Sequence, residues 1–241
     1  MIGYAGAGSM AGAVAEGLGD PVLATDAGSG RAAALAAKLG GEAVASNAEL
    51  AERADVLVLG FKPYMLADLA PELQAARRVV SLLGGVRLEQ LREAFPHAEV
   101  ASAIPNTAVA VSRGVTLVEE GSAPLADVRA LFARIGSVVT LPARLMSAGT
   151  GIAGVAPAYV ALIAEAWVDA GIRAGLKEEQ ATALVLDSLA GASELLLARD
   201  GDTVGVRRGV TSPGGTTARG LRALEAAGVR GALQDAMDAT L

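Results

Sequence analysis

The chain contains no cysteine. That excludes a disulfide framework, thiolate nucleophiles and cysteine metal sites. It has one histidine, His97, which follows Pro96 in a charged segment and reads as a surface residue. Lysine is scarce too: Lys38, Lys62 and Lys177 are the only three. The net charge is −6, and no basic cluster occurs anywhere. A nucleic-acid surface needs clustered Lys and Arg, so no nucleic-acid partner is expected. Aromatic residues make up only 3% of the chain, which leaves packing to alanine, glycine and the aliphatics. The first fifteen residues carry no Lys or Arg, as a secretory n-region would, so a cytoplasmic protein is the expectation. One uncharged run, residues 145–164, approaches the length of a bilayer span. It is rich in Gly, Ala and Thr and is broken by Pro157, so no membrane span is expected. What remains is ample core material: 52% hydrophobic residues in 241, enough for one large domain or two modest ones.

The N-terminal half alternates strand and helix patterns. A short strand at residues 1–4 runs into Gly6-Ala7-Gly8-Ser9-Met10-Ala11, which fits G-x-G-x-x-A, and residues 10–18 then read as a helix. Strand, glycine turn and helix in immediate succession make a pyrophosphate cradle. Gly6 permits the tight turn, Gly8 lets backbone approach phosphate, and Ala11 keeps helix and strand close. Residues 22–25 read as a second strand ending at Asp26, about 20 residues on, which is either the acid that hydrogen-bonds an adenosine ribose or a turn residue before Gly28 and Gly30. An acid there favours NAD(H). Arg31 stands near enough in sequence to meet the 2′-phosphate of NADP(H), so both cofactors stay open. The aliphatic run 54–60 reads as a buried parallel strand ending in Phe61-Lys62-Pro63 at the sheet's carboxyl edge, where such sheets bind ligands, so that Lys62 either meets the cofactor or is a solvated lysine before a proline. Residues 66–76 read as a helix. Strands at 78–83, 99–103, 115–118 and 137–141 follow, with helices at 88–95 and 124–135. Asn106 and Thr107 again fall at a carboxyl edge. The expectation is an α/β, Rossmann-type, doubly wound parallel sheet over residues 1–142.

From residue 143 strand signals vanish, and residues 143–241 read as an all-α dimerisation and substrate-binding domain. Residues 158–175 and 177–199 read as two long helices, apolar around much of their circumference. Such helices are buried on several sides, and about 100 residues cannot bury them alone. A second subunit is therefore expected. Between these helices and two shorter ones lies Val210-Thr211-Ser212-Pro213-Gly214-Gly215-Thr216-Thr217, with four hydroxyls, two glycines and a proline. One helix cap needs one hydroxyl. Four beside two glycines point to an anion held at a helix mouth by free N–H groups.

The acids and bases present narrow the reaction. Reducing a carbonyl requires a proton donor, usually His, Lys or Tyr. No lysine or histidine faces the hydroxyl-rich stretch from a C-terminal helix. An imine is easier, because its nitrogen can take a proton from solvent. The protein then needs mainly a carboxylate clamp, a hydroxyl near nitrogen and a nicotinamide.

These residues resemble the pyrroline-5-carboxylate reductase family. The matching stretches are Ile2-Gly3, the glycine turn through Ala11, Lys62-Pro63, Pro105-Asn106-Thr107, Pro157-Ala158-Tyr159, Glu165-Ala166, Asp169-Ala170-Gly171, residues 210–217 and Gly220-Leu221. They cover nearly the whole chain, and the Val-Thr-Ser-Pro-Gly-Gly-Thr-Thr run is highly specific. The resemblance implies hydride transfer from NADPH or NADH to L-1-pyrroline-5-carboxylate, the last step of proline synthesis, by homodimers that in many members form decamers. It implies that Gly214, Gly215 and Thr216 offer N–H groups to the substrate carboxylate with help from Ser212, and that Thr217 places its hydroxyl at the ring nitrogen. Gly6, Gly8, Ser9 and Met10 would line the pyrophosphate; Lys62, Pro63 and Asn106 would border the nicotinamide. The chain departs from the family at Ser102, where an Arg is usual, at Ile104 for Met, and at Ala153-Gly154-Val155-Ala156, where Ser-Gly-Ser-Gly is usual. Two other readings follow from those departures: a reductase of a different cyclic imine, or a cofactor-binding dimer with little turnover.

Overall fold

The computed structural model describes all 241 residues. They divide into two compact units, Met1–Pro157 and Ala158–Leu241.

The first unit runs β1 (Ile2–Ala5), α1 (Ser9–Leu18), β2 (Val22–Thr25), α2 (Arg31–Leu39), β3 (Glu42–Ala43), α3 (Asn47–Arg53), β4 (Val56–Leu59), α4 (Leu66–Leu69), β5 (Arg78–Ser81), α5 (Leu88–Ala94), β6 (Glu99–Pro105), β7 (Gly114–Glu119), α6 (Leu125–Ala133), β8 (Gly136–Leu141) and α7 (Met146–Ala153). The eight strands form one sheet in the order β3-β2-β1-β4-β5-β6-β7-β8. Every pairing is parallel except β6 with β7. The exception has a simple cause. Only residues 106–113 join those two strands, too few for a crossover, so the chain turns back through a short 3-10 helix at Thr107–Val111. The strand order reverses direction between β1 and β4, the switch point at which such sheets leave a crevice.

The central strands of the sheet are buried on both faces, while the edge strands β3 and β8 stay partly open. Leu57, Val58 and Leu59 of β4 are fully buried, and so is Ala11 of α1. Burying one such aliphatic side chain stabilises the fold by about 1.5–3 kcal/mol. Close approaches depend on missing side chains. A Cβ on Gly17 of α1 would lie 2.1 Å from the Val109 carbonyl oxygen, so the helix rests directly on the 3-10 turn. A Cβ on Gly60 would lie 2.5 Å from that of Ala11, so a glycine after β4 accepts the alanine that ends the glycine motif.

The expected helix over 66–76 breaks into 3-10 turns at Pro63–Met65 and Ala70–Leu73 around one turn of α4. Pro71 lacks the N–H that would continue the ladder. The sequence pattern also missed α7, which consists largely of Gly, Ala, Ser and Thr and so carries no apolar period.

The second unit is helical throughout: the body of α8 (Ala156–Arg173), α9 (Glu178–Leu197), α10 (Thr203–Gly209), α11 (Thr216–Ala226) and α12 (Val229–Asp238). Within it α8 and α9 meet where Gly171 lets Ala181 approach, a Cβ there standing 3.1 Å from that of Ala181. Its buried apolar side chains are only Ala164, Ala181 and Val185. Trp167, Leu162, Leu184 and Leu186 are each more than half exposed. By length and composition alone, the stretch Ala143–Arg173 is apolar enough to cross a membrane, with a mean hydropathy of 1.6. It is made of separate helices, one 3-10 turn at Ala143–Leu145 followed by α7 and α8.

Candidate functional site

The crevice at the strand switch is a cleft of about 680 Å³. Its floor is the glycine turn, and its lining includes Gly6, Gly8, Ser9, Met10, Asp26, Arg31, Lys62 and Pro63. Gly6 sits at φ +92, a conformation that L side chains rarely adopt. Gly8 is the N-cap residue of α1 and provides no side chain to cap it. The first helical bond is Gly12 N–H to the Gly8 carbonyl. The N–H groups of Ser9, Met10 and Ala11 are thus left over at the positive end of the helix dipole, as a pyrophosphate requires. A cradle in which added Cβ atoms would meet backbone fits a dinucleotide.

Two expected cofactor residues behave differently from their sequence reading. Asp26 lines the cleft, but its carboxylate is already occupied. One oxygen accepts from the N–H groups of Gly28 (2.8 Å) and Ser29 (3.1 Å). The other accepts from the Ser29 hydroxyl (2.9 Å) and the Ala32 N–H (2.8 Å). These donors, Ala32 first, hold its pKa down to about 2, against an ordinary 3.8. Asp26 therefore ties down the loop and the start of α2, with no acceptor direction spare for a ribose. Arg31, exposed beside it, has no ion-pair partner.

Asn106 does not line the cleft. Its amide Nδ2 donates to the Ala153 carbonyl (2.9 Å), and its Oδ1 accepts from the Val115 N–H (3.2 Å). Only 5% exposed, it is a latch joining the end of β6 to β7 and to the end of α7. The next residue, Thr107, is the one that reaches the cleft. The sequence pattern does not single out the other lining residues. Leu82, Leu83 and Gly84 follow β5 at the carboxyl edge, the place the general rule for such sheets marks out. Asn47, the first residue of α3, also lines the cleft. Ser46 caps that helix by accepting from the Glu49 N–H, and Asn47 accepts from the Thr25 hydroxyl at the cleft wall.

The Asp26 arrangement makes stability depend on acidity. A carboxylate whose pKa falls on folding stabilises the native state above its unfolded pKa and stops doing so as the pH drops through its native value. Asp26→Ala is expected to cost about 1 kcal/mol at pH 7, as loss of a helix-capping carboxylate does. The gap between variant and wild type should narrow steadily from pH 5 towards pH 3 in urea unfolding. A gap independent of pH would show that Asp26 does not hold the loop.

The hydroxyl-rich stretch lies within the second unit, between α10 and α11. Ser212-Pro213-Gly214-Gly215 forms a β-turn closed by the Gly215 N–H on the Ser212 carbonyl (3.1 Å), with Gly214 at φ +69. Proline second and a left-handed glycine third is what a type II turn demands. Because its N–H closes the turn, Gly215 has none to offer a ligand, contrary to the expectation from the resemblance. Its lack of a side chain matters more: a Cβ there would stand 2.4 Å from Ser212 Oγ.

Gly215 is the N-cap of α11, and no side chain caps that helix. Thr211 donates its hydroxyl backwards to the Arg207 carbonyl (2.6 Å), finishing α10. The hydroxyls of Ser212, Thr216 and Thr217 have no partner within the chain. Three free hydroxyls surround a helix mouth whose first-turn N–H groups, at Thr216, Thr217 and Ala218, are unpaired. That is a site for a small anion with a polar neighbour.

Comparison with known proteins bears on both sites. The family model described as pyrroline-5-carboxylate reductase dimerisation matches residues 143–241. The one described as NADP oxidoreductase coenzyme F420-dependent matches residues 1–85. A pyrroline-5-carboxylate reductase of Synechocystis sp. is 37% identical over 200 residues, covering 80% of this chain and 75% of its own. Among solved structures, a pyrroline-5-carboxylate reductase from Coxiella burnetii superposes with a TM-score of 0.87 at 26% identity, over 99% of this chain and 95% of that one. A pyrroline carboxylate reductase from Plasmodium falciparum, solved with NADP bound, gives 0.86 at 25% identity, over 99% and 94%.

Proposed function

This chain belongs to the pyrroline-5-carboxylate reductase family, and we propose that it reduces the C=N bond of L-1-pyrroline-5-carboxylate to give L-proline. The observation that carries this reading is the turn at 212–217, whose hydroxyls cap nothing and whose helix mouth is open. Bound NAD(P)H supplies the hydride. The rest falls to the chain's own residues. The amides of Ser9, Met10 and Ala11 hold the pyrophosphate, and Lys62, Pro63 and Thr107 border the nicotinamide side of the cleft. The N–H groups of Gly214, Thr216 and Thr217, with the Ser212 hydroxyl, take the substrate carboxylate. The Thr217 hydroxyl stands at the ring nitrogen and orients it. Hydride adds to carbon, and a proton from solvent completes the N–H bond, so no strong acid is needed at the site.

Of the two cofactors, NADPH is the better match. Asp26 has no free acceptor for a ribose hydroxyl, whereas Arg31 offers an unpaired guanidinium to a 2′-phosphate. The purified chain, given L-1-pyrroline-5-carboxylate with either cofactor, is expected to consume NADPH with a kcat/KM at least about tenfold above that for NADH, the worth of one good charged contact. Arg31→Ala should remove most of that difference by raising the KM for NADPH alone. Absence of turnover with either cofactor would defeat the proposed activity. The six-membered homologue of the substrate is the control for a different ring preference, which the missing hydroxyls at 153–156 make worth measuring.

We infer further that the chain works in the cytoplasm as a homodimer, or as the decamer such dimers build in the family. The apolar side chains left uncovered on α8 and α9, within the residues matched by the dimerisation family, support this over burial in lipid. Light scattering should give at least twice the mass of one chain; an active species of 24.0 kDa would refute it.

A further inference from the structure

In α11, Arg219 occupies the fourth helical position after the Gly215 cap. A cation is disfavoured there, because the helix N-terminus is the positive end of the dipole. It has no acidic partner to offset this. Instead its guanidinium reaches back over the first turn and donates to the Gly214 carbonyl at 2.7 Å.

That bond completes a pattern. The peptide unit between Gly214 and Gly215 now has both polar ends held. Its carbonyl accepts from Arg219, and its N–H donates to the Ser212 carbonyl. A Gly-Gly pair is the most freely rotating dipeptide a chain can contain. Holding this one peptide plane at both ends restricts rotation at the two glycines and so restrains the N–H groups on either side of it, those of Gly214 and Thr216.

We infer that Arg219 is a positioning residue for substrate: it locks the Gly214–Gly215 peptide so that the neighbouring amides already point at the carboxylate before it arrives. The inference rests on the carboxylate reading of this turn proposed above. It assigns Arg219 no contact with the reacting atoms. Its effect is on how much of the binding energy is lost to ordering the turn.

The test uses full-length protein and three chains: wild type, Arg219→Met and Arg219→Lys. Arg219→Met should raise the KM for L-1-pyrroline-5-carboxylate about tenfold, the worth of one charge-assisted hydrogen bond. Its kcat and its Kd for NADPH should stay within about twofold. Arg219→Lys, which keeps a donor of similar reach, should bring KM back to within about threefold of wild type. The ratio of the Met variant to wild type should hold between about 0.05 and 0.5 M NaCl, because the lock is a short contact within the chain rather than a long-range attraction. A ratio that collapses in high salt would overturn the positioning role in favour of a steering charge. Loss of thermal stability with KM unchanged would overturn it in favour of a purely structural bond. Turnover of 1-pyrroline, which lacks the carboxylate, separates the two layers of argument. Wild type that reduces it as well as the acid sinks the carboxylate reading and this inference with it. Wild type that discriminates, beside a Met variant with unaltered KM, sinks the role of Arg219 alone.

Discussion

Thr217→Val lowers kcat/KM for L-1-pyrroline-5-carboxylate by about a hundredfold, the usual cost of removing one well-placed polar group from a reacting centre. Valine has nearly the shape of threonine and the same branching at Cβ, so the helix loses nothing in propensity or packing. Because the Thr217 hydroxyl bonds to nothing in the chain, its removal leaves no buried group unpaired, and stability should stay within about 0.5 kcal/mol. The Kd for NADPH should also hold, since its cleft is lined by residues of the first unit. Steady-state kinetics beside a cofactor titration distinguish the outcomes. An unchanged kcat/KM would strip Thr217 of its role, and the free hydroxyls of Ser212 and Thr216 would then be the ones to replace.

The second large effect is expected at the glycine turn, and it differs between two glycines that look equivalent in the motif. At Gly6 the backbone stands at φ +92, and a Cβ would come within 2.8 Å of the Phe61 nitrogen and 3.0 Å of the Gly60 carbonyl carbon. Those atoms are main chain and cannot swing aside. Gly6→Ala should therefore cost about 3 kcal/mol of stability through strain and overpacking, and weaken NADPH binding at least about thirtyfold as the turn is pushed from the end of β4. Gly8 is another matter. Its backbone is ordinary, and a Cβ there would meet only the Gly60 carbonyl oxygen, at 3.4 Å. Gly8→Ala should leave the free protein almost as stable as wild type while weakening NADPH about tenfold, because the added methyl occupies the space a phosphate needs. Urea unfolding without cofactor, paired with NADPH titration, reads both effects. Equal loss of stability at the two positions would mean that the turn does not have the stated geometry.

Much of this was legible from residues alone because the signals were local. A strand, a tight turn and a helix start within a dozen residues, so Gly6, Gly8 and Ala11 announce their arrangement wherever they occur. The 210–217 stretch is likewise one turn and one helix start. Where the reading failed, the cause was a partner distant in sequence or a bond hidden in a turn. Asn106 sits at the expected sheet edge, but whether its amide faces a cofactor depends on Ala153, 47 residues on. The adjacent Thr107 takes the exposed position. Gly215 carries the right name in the motif, yet its N–H closes the turn that Pro213 and Gly214 form, so it is spent before any ligand arrives. The helix expected over 66–76 is broken for a local reason, the proline at position 71.

By itself the sequence determined the α/β class of the first half, the helical character of the second, and the chemistry the chain has to work with: hydroxyls and main-chain amides, with no thiol and almost no imidazole or amine. Composition and short-range spacing suffice for that, because secondary structure and the supply of functional groups are properties of neighbouring residues. Tertiary structure alone decided how those groups are spent. Asp26, read as a ribose acceptor, gives all its lone pairs to its own loop; Arg219, with no signal in its surroundings, grips a carbonyl across a helical turn; the strand after the sixth runs backwards because its linker is short. A carboxylate or an amide has a fixed number of bonds to make, and only the folded chain shows which are already taken.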